Sequence, residues 1–257
     1  MSSRPGSLLL SAVAWVGFLV VVLWAIAFLA GVIVPRGVDR PARLTTEGAV
    51  LVDLALLGLF AVQHSVMARR GVKEWMRCRI PVPLERTTYV LATDICLALL
   101  LALWQPFGGR LWDAHGGTAA VAWSLCAAGW LLAISATFAV DHLELTGLRQ
   151  AGWAASPDPA RTTELEVGGL HAIVRHPLMS GLLLAFWATP HMGVSHLLFA
   201  LACSAYIAAG IRFEERDLRR SFGAAYDAYA ARVPALVPRL VSRRTDVGRR
   251  LRSDAAP

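Results

Sequence analysis

The chain has 257 residues, of which 56% are hydrophobic, and it carries a formal net charge of +7. Its mean hydropathy is +0.53, and its apolar residues form long blocks rather than alternating stripes. This pattern excludes an ordinary soluble domain and indicates helices that cross a bilayer. The basic residues cluster between and after the blocks, as in a membrane protein that faces the cytoplasm, so the charge requires no nucleic-acid partner.

The apolar blocks predict five to six membrane-spanning helices, because about 20 apolar residues are needed to cross a bilayer core. The first four blocks are Leu8–Val34, Ala49–Ala68, Thr87–Trp104 and Thr118–Val140. The fifth region, Leu178–Ile211, is interrupted by the sequence TPHMG, and Pro and Gly together end a helix. It therefore predicts a helical hairpin whose second arm begins at Val194. The predicted fold class is all-α, a polytopic membrane bundle with a C-terminal helical hairpin.

The distribution of basic residues predicts the orientation of the bundle. With the N-terminus inside, 21 of the 25 lysines and arginines lie in inner segments. The four outer ones are Arg36, Arg40, Arg43 and Arg110. The positive-inside rule then places both termini in the cytoplasm.

The chain has no evident internal repeat, so residues 1–241 are predicted to form one integral membrane domain. The sequence that follows, SRRTDVGRRLRSDAAP, is basic and has no apolar face. Residues 242–257 are therefore predicted to be a disordered tail that rests on anionic membrane lipid.

The four cysteines, Cys78, Cys96, Cys126 and Cys203, are dispersed, and no CxxC motif occurs. Three of them lie inside apolar blocks, where a thiol behaves as a small hydrophobic group. The cysteines predict neither a disulfide framework nor a metal site.

Polar side chains recur where the apolar blocks reach the inner side, at four places that we call the polar stations. They are Gln63 with His64, His142 with Asp141 and Glu144, Arg175 with His176, and Arg212 with Glu214 and Glu215. A helical hairpin returns its ends to neighbouring positions, so the third and fourth stations are expected to face each other. Cationic and anionic groups would then meet in one interfacial cleft, which suits a zwitterionic ligand.

Each station also has a purely structural explanation. His64 could hydrogen-bond a neighbouring helix or a lipid headgroup, and Arg175 could extend its guanidinium to lipid phosphates. Glu214 and Glu215 could be surface acids. The other histidines are expected in loops or at interfaces: His115, His171, His191 and His196. It is less expected that all four stations occur on one face by chance than that any single station does.

Two segments carry the pattern of a known family. VRHPLMSG, from Val174 to Gly181, and EERDLRRSFGAAYDAYAARVPALVP, from Glu214 to Pro238, resemble the RHPxYxG segment and the EExxLxxxFGxxYxxYxxxVP tail of the isoprenylcysteine carboxyl methyltransferase-like superfamily. Four further segments resemble the bacterial methanethiol S-methyltransferases within that superfamily: DLALLGLFAVQHSVMARRGVKEWM, PLERTTYVLATD, TFAVDHLELTGLRQ and LLLAFWATPHMGVSHLLFA. The resemblance covers nearly the whole chain and implies an enzyme of the bacterial inner membrane.

The resemblance also implies S-adenosylmethionine as the methyl donor, bound at the cytoplasmic end of the hairpin within residues 170–238. The matching donor-site residues are Arg175, His176, Pro177, Gly181, Glu214, Glu215, Tyr226 and Tyr229. Glu214 and Glu215 would contact the ribose hydroxyls or the ammonium group, and Gly181 would permit close approach of the backbone. Met179 stands where the motif has Tyr, which removes one hydroxyl from this cleft.

The chemistry of thiol methylation suggests which side chains could be catalytic. Transfer from a sulfonium is an in-line displacement, and the reactive form of the acceptor is the thiolate. A base should therefore help, and His142, flanked by Asp141 and Glu144, is the first candidate. His64 is the second, and Arg175 could stabilise the anion.

Other functions remain open from the sequence. The acceptor could be methanethiol, another thiol, sulfide or a lipid. In a different class, His64 and His142 lie on different helices and could ligate a b-type haem for electron transfer. A scaffold or transporter subunit is the third alternative. The oligomeric state does not follow from the sequence.

Overall fold

The computed structural model describes residues 5–34, 37–139, 141–155, 165 and 167–239, and α-helices dominate it. The predicted tail, residues 242–257, lies outside the described residues.

Five helices within the described residues are long and apolar enough to cross a membrane. They are α1 (Pro5–Ala30), α2 (Thr46–Met67), α4 (Glu85–Leu103), α5 (Gly116–Ala139) and α9 (Val194–Phe222). The predicted polytopic helical bundle is confirmed, and the chain is an integral membrane protein. The first four helices begin two or three residues before the predicted blocks, because polar or small residues occupy their first turns. In α2, for example, Thr45 accepts the Gly48 N–H as an N-cap.

The predicted hairpin is also confirmed. Its first arm, α8 (Pro177–Trp187), has 11 residues and spans roughly 17 Å, about half of a bilayer core. Its second arm, α9, has 29 residues and is roughly 43 Å long. Helix α9 therefore continues past the predicted end at Ile211 and carries the fourth polar station beyond the apolar layer.

Helix α8 packs closely on α5 through two glycines. A Cβ atom on Gly181 would come within 2.5 Å of the Ala133 backbone N, and one on Gly129 would come within 2.6 Å of the Ala185 backbone N. The open backbone at Gly181, which the sequence assigned to donor approach, is therefore occupied by helix α5. Its function in the fold is to let two helices touch.

Two short strands close the outer side of the hairpin and were not predicted. Strand β1 (Arg110–Asp113) pairs antiparallel with β2 (His191–Gly193) at the hairpin tip. Asp39 accepts hydrogen bonds from the backbone N–H groups of Gly193, at 2.8 Å, and His196, at 3.0 Å, at the start of α9. The tip is thus tied to two preceding loops.

His196 departs from its expected place in a loop or at an interface. It lies in the first turn of α9 with its side chain almost fully buried. Its Nε2 is 3.0 Å from the carbonyl oxygen of Phe186, so it ties the two arms of the hairpin together. The helix starts so close to the tip that this side chain points inward.

Short helices form most of the inner side of the described chain. They are α3 (Arg70–Arg77), α6 (His142–Leu145), α7 (Leu148–Ala151), α10 (Ala224–Arg232) and the 3-10 turns Val82–Leu84 and Gly169–Ala172. Helix α10 turns back after Gly223 and brings the C-terminal segment to the start of α8. These elements lie around the inner ends of α2, α5, α8 and α9, where the polar stations are found.

Candidate functional site

The third and fourth polar stations meet, as the sequence predicted. The Arg175 guanidinium forms an ion pair with Glu215, with Nε at 2.9 Å and Nη2 at 2.5 Å from the same carboxylate oxygen. Both side chains are largely buried. A paired arrangement is required here, because an isolated charge at the edge of an apolar layer is costly. The structure thus places the cationic and anionic groups in one cluster, which we call the lip.

His176 completes the lip between two carboxylates. Its Nδ1 lies 3.4 Å from Glu214 and its Nε2 lies 3.3 Å from Glu215. Burial opposes the charged imidazolium, but the hydrogen bonds and charges of Glu214 and Glu215 outweigh it and raise the pKa of His176. Glu215 also pairs with Arg219, at 3.3 Å.

The lip holds the C-terminal segment against the hairpin. The backbone N–H groups of Arg175 and His176 donate to the carbonyls of Pro234 and Ala235, at 2.8 and 3.0 Å. The Arg175 side chain adds hydrogen bonds from Nη1 to the carbonyls of Ala230 and Val233. We call this set of contacts the C-terminal clamp.

Two tyrosines extend the clamp. Tyr229 donates its hydroxyl to the carbonyl of His171 at 2.6 Å, and Tyr226 packs edge-on against Tyr229 beneath the Arg219 guanidinium. Both rings are buried. Pro177 starts α8 as its first residue, where the missing N–H of proline costs nothing.

These contacts separate the roles of the lip residues. Every nitrogen of the Arg175 guanidinium already donates to a protein oxygen, so Arg175 is suited to positioning the clamp rather than to holding a ligand. Glu214 differs, because its side chain is 53% exposed and its one contact across the lip is the long one to His176. Glu214 is therefore the lip carboxylate that can turn toward a bound molecule.

We expect the clamp to loosen as the pH rises. The pKa of His176 is raised in the folded protein, so its contribution to stability is complete below its ordinary value and is lost as the pH rises through the folded value. Thermal unfolding in detergent should show a melting temperature that falls from pH 6 to pH 9, by about 2–4 °C for each kcal/mol lost. His176→Gln should remove most of this dependence. A wild-type melting temperature that rises over the same range would contradict the assignment.

His142 is packed as a structural residue. Its ring stacks on Phe138 at 4.4 Å between centroids, and its Nε2 accepts the Trp15 indole N–H at 3.0 Å. Thr137 donates its own hydrogen to the carbonyl of Ile134, so the 3.0 Å contact between Thr137 Oγ1 and His142 Nδ1 uses a hydrogen on the imidazole. The network therefore assigns the neutral Nδ1–H tautomer.

Asp141 and Glu144 do not tune His142 as the sequence suggested. Asp141 caps α6 by accepting the N–H groups of Leu143 and Glu144, and it pairs with Arg149 at 2.5 Å. Burial lowers the pKa of His142, and the charge of Asp141 only partly offsets this effect. To act as a base, His142 would have to free its Nε2 from the Trp15 indole N–H. The indole N–H is a donor only, so it cannot take the proton onward.

His64 has the more adaptable surroundings. It lies one turn before the end of α2, half-buried, with Phe60 stacked at 5.3 Å and Tyr206 at 6.4 Å between ring centroids. The Tyr89 hydroxyl is 3.0 Å from each of its ring nitrogens, so it can pair with one and leave the other for a substrate. Unlike an indole, a phenol can both donate and accept a hydrogen bond. The geometry thus favours His64 over His142 as a base.

The same contacts weigh against a haem between these two histidines. The faces of the His142 ring are covered by Phe138 and Phe18, and both of its nitrogens have protein partners. Axial ligation would require this packing to open. No group of three or more metal-ligating side chains occurs in the part of the chain that the structure describes.

A cavity of about 420 Å³ lies on the inner side, and its wall includes Tyr89, which contacts His64. It is bounded by Met67, Lys73, Met76, Arg77, Val82, Glu85, Arg86, Tyr89, Glu144, Leu145 and Gln150. Arg77, Glu144 and Gln150 at its rim are exposed, whereas Tyr89 at its base is buried. The cavity therefore reaches from solvent to the residue that contacts His64.

Sequence reasoning missed two buried acids within the membrane helices. Asp53 on α2 accepts the Gln105 backbone N–H at 2.8 Å and thereby ties the chain just after α4 to α2. Asp94 on α4 faces Gly17 of α1, where a Cβ atom would lie 3.1 Å from the carboxylate. The signal for both was available, because each is a single aspartate inside an apolar block.

Comparison with protein families gives a match to the NnrU protein family over residues 52–233. No solved structure matches the chain.

Comparison with curated proteins gives relatives that cover most of the chain. Methanethiol S-methyltransferase 2 of Bradyrhizobium diazoefficiens is 44% identical over an alignment of 261 positions that covers all of both chains. A methanethiol S-methyltransferase of Mycobacterium tuberculosis is 41% identical over 90% of this chain and 96% of its own. Nurim of Rattus norvegicus is 34% identical over 65% of this chain and 67% of its own.

Proposed function

The chain belongs to the NnrU protein family, and methanethiol S-methyltransferases match it along most or all of its length. We propose that it is a methyltransferase that converts methanethiol to dimethyl sulfide. The observation that carries this proposal is the 44% identity to such an enzyme over the complete length of both chains. The cluster of paired charges at the lip supports it, because a zwitterionic methyl donor needs partners of both signs.

The methyl donor in this proposal is S-adenosylmethionine, which supplies an electrophilic methyl group on a sulfonium. Glu214 would turn its exposed carboxylate to the ammonium group or the ribose hydroxyls, with His176 beside it. Arg175 and Glu215 would hold these groups in place through the C-terminal clamp. Tyr226 and Tyr229 would close the segment over the donor, and Pro177 would fix the start of α8.

The spacing along α9 fits a molecule that extends from the lip to His64. Tyr206, Gly210 and Glu214 follow one another at intervals of four residues, so they form one ridge of the helix. The ridge measures roughly 12 Å from Tyr206 to Glu214. A Cβ atom on Gly210 would meet nothing within 4 Å, so the middle of the ridge is open. A donor with its polar end at Glu214 would thus direct its methyl group toward Tyr206 and His64.

His64 is the base in this proposal, since its ring is half-buried and can release a nitrogen to a thiol. Phe60 and Tyr206 would exclude water around the acceptor and would hold it in place. An in-line displacement needs such an aligned acceptor. A small thiol that dissolves in lipid would reach His64 from the apolar layer.

The cellular arrangement is part of the same proposal. Residues 1–241 would form one domain in the bacterial inner membrane, with both termini in the cytoplasm, because the basic residues concentrate on that side. The lip and the cavity would then face the cytoplasmic supply of donor. Anionic lipid would contact the same basic surface.

The test combines donor binding with an acceptor panel. Purified protein in detergent should bind S-adenosylmethionine in calorimetry and should methylate methanethiol faster than ethanethiol, sulfide or a prenylated cysteine. Faster methylation of sulfide or of the prenylated cysteine would replace the acceptor but keep the enzyme class. Absence of donor binding would refute the proposal as a whole, and a haem absorbance band in the purified protein would replace it by electron transfer.

A further inference from the structure

Thiol methylation releases one proton for each turnover, and a site inside the apolar layer needs a way to discharge it. The thiol S–H bond breaks as the sulfur bonds to the donor methyl carbon, and the electron pair of the broken carbon–sulfur bond stays on the donor. The proton thus has to leave through the protein. This need rests on the proposed function, and the structure offers a route on the cytoplasmic side of His64.

We propose that Tyr89 relays the substrate proton from His64 to the cytoplasmic cavity. The Tyr89 hydroxyl lies 3.0 Å from the ring nitrogens of His64, and the same side chain forms part of the cavity wall. Tyr89 therefore touches the base on one side and a solvent-connected space on the other. No second side chain is required between them.

The hydroxyl of Tyr89 can carry a proton in this direction. A phenol accepts a proton through an oxygen lone pair while it gives its own hydrogen to a second acceptor. His64 would pass its proton to the Tyr89 oxygen as the Tyr89 hydrogen moves to water in the cavity. An ordered water needs two to four hydrogen-bond partners. The polar side chains of the cavity wall can supply them.

The charges around Tyr89 fit release to the solvent. The Arg86 guanidinium carbon lies 4.9 Å from the centre of the Tyr89 ring, and Arg86 Nε donates to the Leu145 carbonyl at 2.8 Å, so its position is fixed. The other charged groups that face the cavity are Lys73, Arg77, Glu85 and Glu144. A cation fixed beside the phenol disfavours retention of the extra proton, and the exposed rim at Glu144 opens the cavity to solvent.

Tyr206 provides a matched control, since it also contacts the His64 ring. Its hydroxyl pairs with Ser65 at 3.0 Å, and it is absent from the cavity wall. Both tyrosines thus pack on His64, but of their two hydroxyls only that of Tyr89 bonds to the ring in the described part of the chain. Thr93 Oγ1 lies farther away, at 3.4 Å from His64 Nδ1. Replacement by phenylalanine keeps each ring and removes one hydroxyl.

The experiment compares Tyr89→Phe with Tyr206→Phe in the full-length protein. We expect Tyr89→Phe to lower kcat at neutral pH by about 10- to 100-fold, at or below the lower end of what general acid–base transfer contributes. Its affinity for S-adenosylmethionine should stay at the wild-type value. Raising the pH toward 10 supplies thiolate, so the rates of variant and wild type should converge. Tyr206→Phe keeps the ring beside the acceptor and loses only the hydroxyl contact with Ser65, so it should keep the pH profile of wild type.

The failures of the two proposals are distinguishable. If wild type methylates a thiol and Tyr89→Phe does so equally fast at neutral pH, the relay is refuted and the proposed function stands. An equal loss in both variants, without recovery at high pH, would show that the hydroxyls serve the fold and would also refute the relay. If wild type methylates no thiol, the proposed function fails and the relay fails with it.

Discussion

Replacing His64 with alanine is expected to lower methanethiol turnover by about 10²–10⁴-fold, which is the usual contribution of a positioned general base. In the proposed mechanism, the Tyr89 hydroxyl pairs with one His64 nitrogen and leaves the other to take the thiol proton. The measurement is the rate of dimethyl sulfide formation at saturating donor and neutral pH. High pH should restore part of the rate, because the thiolate then forms without a base.

His142→Ala is the control for that experiment. We expect it to lower the melting temperature, since the variant loses the stacked Phe138 contact and leaves the Trp15 indole N–H without its acceptor. Its turnover for each folded molecule should remain near that of wild type. The reverse result, with His142→Ala inactive and His64→Ala active, would return the catalytic role to His142.

Replacing Glu215 with alanine is expected to have the largest effect on the stability of the lip. The change leaves Arg175 buried without its partner, and breaking a buried ion pair typically costs about 3–5 kcal/mol. The C-terminal clamp should open, so residues 230–236 should exchange their amide hydrogens faster. Donor binding should be lost with it. Hydrogen exchange and calorimetry on the same preparation measure both effects.

Glu214→Ala is the neighbouring control. Its carboxylate is 53% exposed and takes no part in the Arg175 ion pair, so the melting temperature should fall less than in Glu215→Ala, through the lost contact with His176 alone. Donor affinity should still fall, because the exposed carboxylate is the proposed donor contact. If Glu214→Ala binds the donor like wild type, the donor lies elsewhere in the bundle.

The bundle was predictable from the sequence because hydropathy reports which helices face lipid. The TPHMG interruption placed the hairpin correctly, and the hairpin brought Arg175 and Glu215 together as expected. The pairing of β1 with β2 was not predictable, because four residues and three residues give too little pattern to mark a strand.

The roles within the site were less accessible, because they depend on partners distant in sequence. His142 looked tuned by the adjacent Asp141, yet its ring contacts Trp15, which lies 127 positions away. Gly181 looked like an approach for the donor, yet it faces the backbone of α5. Adjacent charges in a sequence show that a site exists, whereas packing decides which of its groups are free to react.

We propose above all that this chain transfers a methyl group from S-adenosylmethionine to methanethiol. Membranes that contain the protein should be given methanethiol and a donor whose methyl group is trideuterated, and the headspace gas should be examined by mass spectrometry. We expect dimethyl sulfide that carries one trideuterated methyl group, formed about 10²–10⁴-fold more slowly by His64→Ala membranes at neutral pH. Unlabelled dimethyl sulfide alone, or none above the level of membranes without the protein, would contradict the account.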